Sequence, residues 1–316
     1  MEHAINFTSE HEKAGSGIDL QTSVVYITFA LMGTCGNGLV LFVVASVRDL
    51  RDITNILIAN QSLIDFTSSI LLVVIFVVPL PPLPANVILA RVLCGFWYTQ
   101  YPYWVTYAAS MANLTIMTFE RYLAVVHPIQ YRRRSSSRIT NILVLIPWIF
   151  GCLQMGYLIP ITEVDEGTCY RFLWLTKMMQ PAIGIYTFFI LLAVPFSLMT
   201  VLYCAIIKTL RKGLAPQDDK MSAVHHKADY RNRARRNIIR TMITLSVCYF
   251  LCYGPNITIY MIYCLGANID LNGVEFYVTV CIAFINIWIN PFVYALQYRK
   301  FQRGLKQVFG CSKPKN

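Results

Sequence analysis

Long uninterrupted hydrophobic runs dominate the pattern of this 316-residue chain. Seven runs can cross roughly 30 Å of hydrocarbon, and because they lack the two-residue alternation of barrel strands, each predicts a transmembrane helix. The predicted spans cover residues 22–47, 55–80, 94–126, 139–160, 182–209, 237–264 and 274–296. The pattern therefore predicts an all-α membrane protein, a bundle of seven transmembrane helices.

A short amphipathic segment follows the last span. In residues 299–309 the apolar side chains fall on one side and the basic ones on the other, which predicts a short eighth helix on the membrane surface. Cys311 then lies at a depth where palmitate could be attached. The alternative, which is equally compatible with the sequence, is a free thiol. The predicted domains are an extracellular tail at 1–20, a seven-transmembrane domain at 21–298, and an amphipathic helix with a cytosolic tail at 299–316.

The basic residues are distributed unevenly across the predicted membrane. Only four of the 27 Lys and Arg residues lie on one side of the spans, namely Lys13, Arg91, Arg171 and Lys177. The positive-inside rule then predicts a multi-pass plasma-membrane protein with an extracellular amino terminus. The net charge of +11 reflects this topology and attraction to anionic membrane lipids, so nucleic acid is not an expected partner.

Two features belong to the predicted outer side. Asn6 begins an Asn-Phe-Thr sequon and is the predicted glycosylation site. Cys94 and Cys169 lie where the environment is oxidising, which predicts a disulfide between them, with Cys264 as the nearest competing partner.

Polar side chains inside the spans recur at one depth. A rise of about 1.5 Å per residue from the cytosolic ends brings four helices to a common polar level, and Asn286 lies one turn from this level. The predicted network comprises Asn37, Asp65, Ser110, Asn286 and Asn290. Asp65 has no Lys or Arg at its depth, so we expect a water cluster or a bound sodium ion there, or alternatively a structural network with a neutral Asp65. No other cofactor is predicted.

The third and sixth spans each carry aromatic residues in their outer halves. In the third span, helical spacing puts Tyr103 and Tyr107 on the same face as Arg121 at the cytosolic end, and Pro255 predicts a kink in the sixth. The predicted ligand pocket consists of Tyr103, Trp104, Tyr107, Tyr253, Asn256 and Tyr260. The alternative is that these rings simply pack inside the bundle.

Several short motifs, in this order along the chain, resemble those of one family. They are Gly36-Asn37, Asp65, Cys94, Glu120-Arg121-Tyr122, Trp148, Pro195 with Tyr203, Cys252-Tyr253-Gly254-Pro255, and Asn290-Pro291-Phe292-Val293-Tyr294. Over nearly its whole length the chain resembles a divergent rhodopsin-like (class A) G-protein-coupled receptor, with stretches similar to invertebrate peptide receptors. The resemblance implies a heterotrimeric G protein and arrestin as partners and no catalysis.

The resemblance also implies roles for individual residues. The activation and coupling set is Glu120, Arg121, Tyr122, Ile129, Tyr203, Pro255, Pro291 and Tyr294. Arg121 would face the G protein on activation, Tyr203 and Tyr294 would swing toward it, and Ile129 would pack on the partner.

Three departures from the family pattern change the expectations. Tyr253 replaces the usual tryptophan of the sixth span, and Arg235 replaces the acid that normally locks Arg121, so ligand-free signalling is expected. The interval from Cys94 to Arg121 is two residues longer than usual, which predicts a bulge at the outer end of the third helix.

The predicted function is transduction of an extracellular ligand signal, and a peptide ligand is favoured. Tyr103 takes the place of the aspartate of amine receptors, so the alternative is a small non-amine ligand. A transporter is the alternative from another class, although we find no inverted repeat with broken helices.

Overall fold

The computed structural model describes residues 5–6, 20–80, 82–134, 136–165, 167–171, 174, 176–212, 222–271 and 273–310. Within these ranges, the side chains of residues 5–6, 134, 171, 212 and 222–235 are not described. The helices are α1 (Leu20–Ser46), α2 (Ile53–Phe76), α3 (Val87–Leu93), α4 (Tyr101–Val126), α5 (Pro128–Arg134), α6 (Ser137–Met155), α7 (Met179–Phe188), α8 (Val194–Lys212), α9 (Ser222–Cys264), α10 (Val274–Gln297) and α11 (Arg299–Val308). The strands are β1 (Ile5–Asn6), β2 (Thr162–Asp165) and β3 (Thr168–Arg171).

The predicted bundle of seven membrane helices is confirmed. A π-helical turn at Phe189–Ala193 joins α7 and α8 into one span. Six described helical segments are long and apolar enough to cross a membrane by themselves. The remaining span, α4, packs against α2, α6 and α8 and is almost continuously buried from Tyr103 to Leu114. Its neighbours rather than lipid cover it, which is why it can carry more polar residues than the others.

Three helix boundaries differ from the prediction. α9 begins at Ser222, so part of the basic stretch that we predict as a cytosolic loop is helical; residues 222–236 contain no Gly or Pro and are rich in helix-forming Ala, Lys and Arg. α2 ends at Phe76, just before a proline-rich loop, and α6 ends at Met155.

The third span is interrupted near its predicted outer end, where the π-helical turn Cys94–Tyr98 is followed by Gln100 with a φ of 60°. The predicted bulge is therefore present.

A three-stranded antiparallel sheet covers the predicted outer end, in the order β1-β3-β2. Only a loop is predicted between the fourth and fifth spans, where β2 and β3 lie. Cys169 on β3 forms the predicted disulfide with Cys94, with 5.6 Å between their Cα atoms, and Cys264 is free and buried. Asn6 lies in β1, but its side chain is outside the described residues, so its glycosylation remains a prediction.

The short helix α11 returns along the predicted cytosolic end of the bundle, and the predicted eighth helix is confirmed. Phe301 is buried, and a Cβ atom on Gly304 would lie 2.9 Å from Leu50 Cδ1, so a larger residue at 304 would require the Leu50 side chain to shift. Lys300 forms an ion pair with Asp52, which fastens α11 to the start of α2. Cys311 lies outside the described residues.

Candidate functional site

A polar cluster in the middle of the bundle contains three of the predicted network residues. Asn290 Nδ2 on α10 donates to Asp65 Oδ2 on α2 over 2.7 Å. Gln61 Nε2 donates to Asp65 Oδ1 over 3.1 Å and to Ser110 Oγ on α4 over 2.7 Å. The structure thus brings Asp65, Ser110 and Asn290 together, with Gln61 as the bridge.

The other two predicted network residues bond elsewhere. Asn37 Nδ2 donates to the carbonyl of Ile287 over 2.8 Å and ties α1 to α10. Asn286 Nδ2 donates to the Tyr253 hydroxyl over 3.2 Å and ties α10 to α9. Neither donates to Asp65, because a common depth does not fix the direction in which a helix presents a side chain.

Amide side chains that were not predicted as site residues extend the cluster. Asn113 Nδ2 on α4 donates to Gln61 Oε1 over 3.0 Å, and its Oδ1 accepts from Asn60 Nδ2 over 2.9 Å. Trp148 Nε1 on α6 donates to Asn60 Oδ1 over 3.1 Å. One signal was available for Gln61, which lies four residues before Asp65 and hence on the same helix face.

The cluster has the oxygen atoms that a small hard cation prefers. Asn290 Oδ1 is buried and has no hydrogen-bond partner among the described residues, and the same is true of Asn286 Oδ1, one helical turn away on α10 and beside the cluster. With the Asp65 carboxylate they supply the carbonyl and carboxylate ligands typical of hard cations. In the described part of the chain, no cationic side chain forms an ion pair with Asp65. The residues therefore fit a monovalent cation.

At the predicted cytosolic end, Glu120 joins three elements. It pairs through both carboxylate oxygens with Arg121, the residue next to it on α4. It also accepts from the hydroxyls of Thr54 on α2, over 3.2 Å, and Tyr131 on α5, over 2.6 Å. Burial and the Glu120 carboxylate raise the pKa of Tyr131, so its hydroxyl stays protonated and donates. Tyr131 was not predicted as a site residue.

The other residues of the activation set are spread around this end. The Tyr203 hydroxyl on α8 lies 2.9 Å from both Thr118 Oγ1 and Ser246 Oγ, so it links α4 and α9. The Tyr122 hydroxyl lies 3.3 Å from His127 Nε2, and Ile129 is 71% exposed.

Both predicted activation prolines lie within helices, and the predicted Tyr294 is buried inside the bundle. Pro255 and Pro291 are inside α9 and α10. Tyr294 is fully buried, and its hydroxyl has no partner among the described side chains. The side chain of Arg235 is outside the described residues, so its effect on Arg121 remains a prediction.

A cavity of about 370 Å³, the outer cavity, lies in the half of the bundle that is predicted to be extracellular. Four predicted pocket residues line it: Trp104, Tyr107, Asn256 and Tyr260. Residues that were not predicted line it as well, among them Tyr26, Gln100, Tyr157, Thr187, Phe276 and Tyr277. They come from elements whose facing sides could not be deduced without knowing how the helices pack.

Two predicted pocket residues do not line this cavity. Tyr103 is 1% exposed and packs edge-on against Phe76 and Phe284, because it is turned by about 100° around α4 from Trp104. Tyr253 lies behind Tyr107, with 4.1 Å between the ring centroids.

Known proteins resemble the chain over most of its length. Residues 36–294 match the family described as 7 transmembrane receptor (rhodopsin family). Neuropeptide receptor 15 of Caenorhabditis elegans is 27% identical over 90% of this chain and 89% of the relative. Galanin receptor 2a of Danio rerio is 25% identical over 98% and 82%, and the allatostatin-A receptor of Bombyx mori is 27% identical over 98% and 86%. These matches contradict the alternative hypothesis of a transporter. The chain belongs to the rhodopsin family of seven-transmembrane receptors.

Proposed function

We propose that an extracellular peptide activates this receptor and that the receptor passes the signal to heterotrimeric G proteins. The observation that carries the proposal is a series of ring contacts that leads from the outer cavity into the bundle, next to the proline inside α9. The relatives named for neuropeptide, galanin and allatostatin-A support the peptide class.

The ring contacts suggest how a bound ligand could act on α9. Tyr107 lines the cavity and packs on Tyr253, and Tyr253 packs on Tyr249 with 4.7 Å between centroids. Pro255 follows Tyr253 by two residues and removes a backbone hydrogen bond, so α9 can bend there. A ligand that contacts Tyr107 more favourably in one arrangement of α9 would shift the population toward that arrangement.

The proposed output surface is the cytosolic end of α4. Separation of Arg121 from Glu120 would free its guanidinium for a G protein, and the exposed Ile129 would pack on the same partner. In this proposal the amino terminus is extracellular, the receptor acts at the plasma membrane, and arrestin and anionic lipids contact the same cytosolic face. We also propose a sodium ion at Asp65, where it would supply a positive charge that stabilises one arrangement of the helices.

A peptide screen tests this proposal. Cells expressing the receptor are exposed to a panel of synthetic neuropeptides and monitored with sensors for several G-protein classes, with Arg121→Ala at matched surface expression as the control. At least one peptide should activate the wild type and leave the Arg121→Ala variant silent. Activation only by small non-amine molecules, or a peptide response that survives Arg121→Ala, would contradict it.

A further inference from the structure

The outer cavity has a neutral lining. It is bounded by aromatic, aliphatic, amide and hydroxyl side chains, and none of the described lining residues is Asp, Glu, Lys, Arg or His. A charged group that entered would lose its hydration without gaining an ionic partner, which is strongly unfavourable. The part of the ligand that enters must therefore be uncharged.

The size of the cavity limits how much of a peptide can enter. Its volume of about 370 Å³ is at the lower end of the range of roughly 300–1,000 Å³ for sites that enclose one drug-sized ligand. A peptide of ten or so residues is far larger, so the cavity can enclose only one end of it. An unmodified peptide carries a charge at both ends.

Polar groups in the lining match a primary amide. The Tyr107 hydroxyl is buried and has no hydrogen-bond partner among the described residues, and it can donate to a ligand carbonyl. Asn256 also lines the cavity, and its Oδ1 atom can accept from a ligand N–H. A primary amide has one acceptor oxygen and two N–H donors, so it can satisfy both.

We propose that this cavity binds the carboxyl-terminal end of a peptide that ends in an aromatic or aliphatic residue and carries an α-amide in place of the free acid. The rings of Trp104, Tyr157 and Phe276 would cover the terminal side chain, and Tyr107 and Asn256 would bind the amide. This inference rests on the proposed peptide-receptor function.

The two peptide ends differ in the expected effect of a charge. At pH 7, neutralising a free α-carboxyl group of pKa about 3.5 costs at least 100-fold in binding, whereas neutralising an α-amino group of pKa about 8 costs only about tenfold. A preference for the amide over the acid of 100-fold or more would therefore identify the carboxyl end as the one that enters.

A library of matched peptides tests the inference on cells expressing the full chain. Each peptide is synthesised as the α-amide and the free acid, and each of these with a free or acetylated amino end. We expect activation by amides at concentrations at least 100-fold lower than by the matching acids, and little effect of acetylation.

Charge variants of the receptor sharpen the test. Gln100→Lys and Leu271→Lys each place a cation in the cavity lining at a partly exposed position, and each should reduce the ratio of amide potency to acid potency at least tenfold, because the cation pairs with the free carboxylate. Thr176→Lys adds the same charge at an exposed position outside the lining and should leave the ratio unchanged.

The possible failures can be told apart. Equal potency of acids and amides, or discrimination only at the amino end, overturns the inference while the peptide-receptor function stands. An equal change of the ratio in Thr176→Lys also overturns it, because the effect would then be long-range. No activation by any peptide overturns the proposed function and this inference with it.

Discussion

The two sides of the helix bundle are held together by different chemistry. Where α2, α4 and α6 meet, amide side chains bond across helices, and Asn113 alone contacts Asn60, Gln61 and the Leu57 carbonyl. Where α8 and the π-helical turn before it meet α9, the described polar links are single hydroxyl groups, those of Tyr203 and Tyr249, and other contacts are apolar, such as the ring pair Phe196 and Phe250.

Because of this difference, the side with the amide network contributes more to stability, and the side with α9 can move more easily. Removing one member of the amide network leaves several buried polar groups unpaired, at about 1–3 kcal/mol each, so that side resists rearrangement. Breaking one hydroxyl link costs only about 1 kcal/mol, and apolar contacts are non-directional, so α9 can move at a smaller cost in free energy than a helix on the amide side. Mutations should therefore destabilise the protein on the first side and change signalling on the second.

The largest expected effect is loss of stability on the amide side. Asn113→Leu should lower the free energy of unfolding by about 2–4 kcal/mol, because Asn60 and Gln61 lose buried partners. Thermal unfolding of the purified receptor in detergent measures it. Thr115→Val on the same helix removes only bonds within its own helix, to the Met111 carbonyl and sulfur, and is the control. Equal melting temperatures for the two variants would contradict the assignment of stability to the amide network.

The next effect concerns the Glu120 junction. Glu120→Gln removes the charge that holds Arg121 and should raise ligand-free signalling about 5–10-fold, which corresponds to about 1–1.4 kcal/mol in the equilibrium between helix arrangements. Basal G-protein sensor output at equal surface expression measures it. Asp52→Asn removes a carboxylate whose ion pair is solvent-exposed, and it should leave the output unchanged. A wild-type signal no higher than in vector-only cells would contradict the expected basal activity.

A smaller effect is expected at the cytosolic end of α9. Asn237 Nδ2 donates to the Gln297 carbonyl over 2.6 Å, and Asn237 Oδ1 accepts from the Arg299 backbone N–H over 3.0 Å, so α9 is attached where α10 meets α11. Asn237→Ala should raise basal output about threefold, since one or two partly exposed hydrogen bonds are lost. Gln302→Ala also removes two hydrogen bonds at this junction, to the Ala295 and Leu296 carbonyls, without touching α9. If the two variants signal alike, the attachment of α9 is not what restrains it.

The features that the bilayer constrains were the most predictable from the sequence. Bilayer thickness sets the length of each span, so the helices and their order were predictable, and the constant rise per residue brought Asp65, Ser110 and Asn290 to one level. The same counting could not tell that Asn37 and Asn286 bond elsewhere, because depth carries no information about which way a side chain points.

The remaining features depend on contacts between distant parts of the chain. Tyr131 reaches Glu120 only because α5 folds back beneath α4, and the β2–β3 hairpin forms in a loop with no strong strand pattern. Likewise, whether Tyr103 or Trp104 lines the cavity depends on the rotation of α4 after the bulge at Gln100. Such rotations follow from packing, which no local pattern in one sequence specifies.

The smallest expected effect tests the sodium ion on the amide side. Sodium chloride at about 150 mM should change peptide affinity by no more than about twofold relative to an equal concentration of N-methylglucamine chloride, because a cation with a dissociation constant of roughly 150 mM stabilises its preferred arrangement by only about RT ln 2. Asp65→Asn removes the charged ligand and should abolish this difference. Ser69→Ala is the control, since Ser69 lies one turn away and bonds only the Asp65 backbone carbonyl. A sodium response that persists unchanged in Asp65→Asn would remove the ion from this site and leave Asp65 as a neutral member of a structural network.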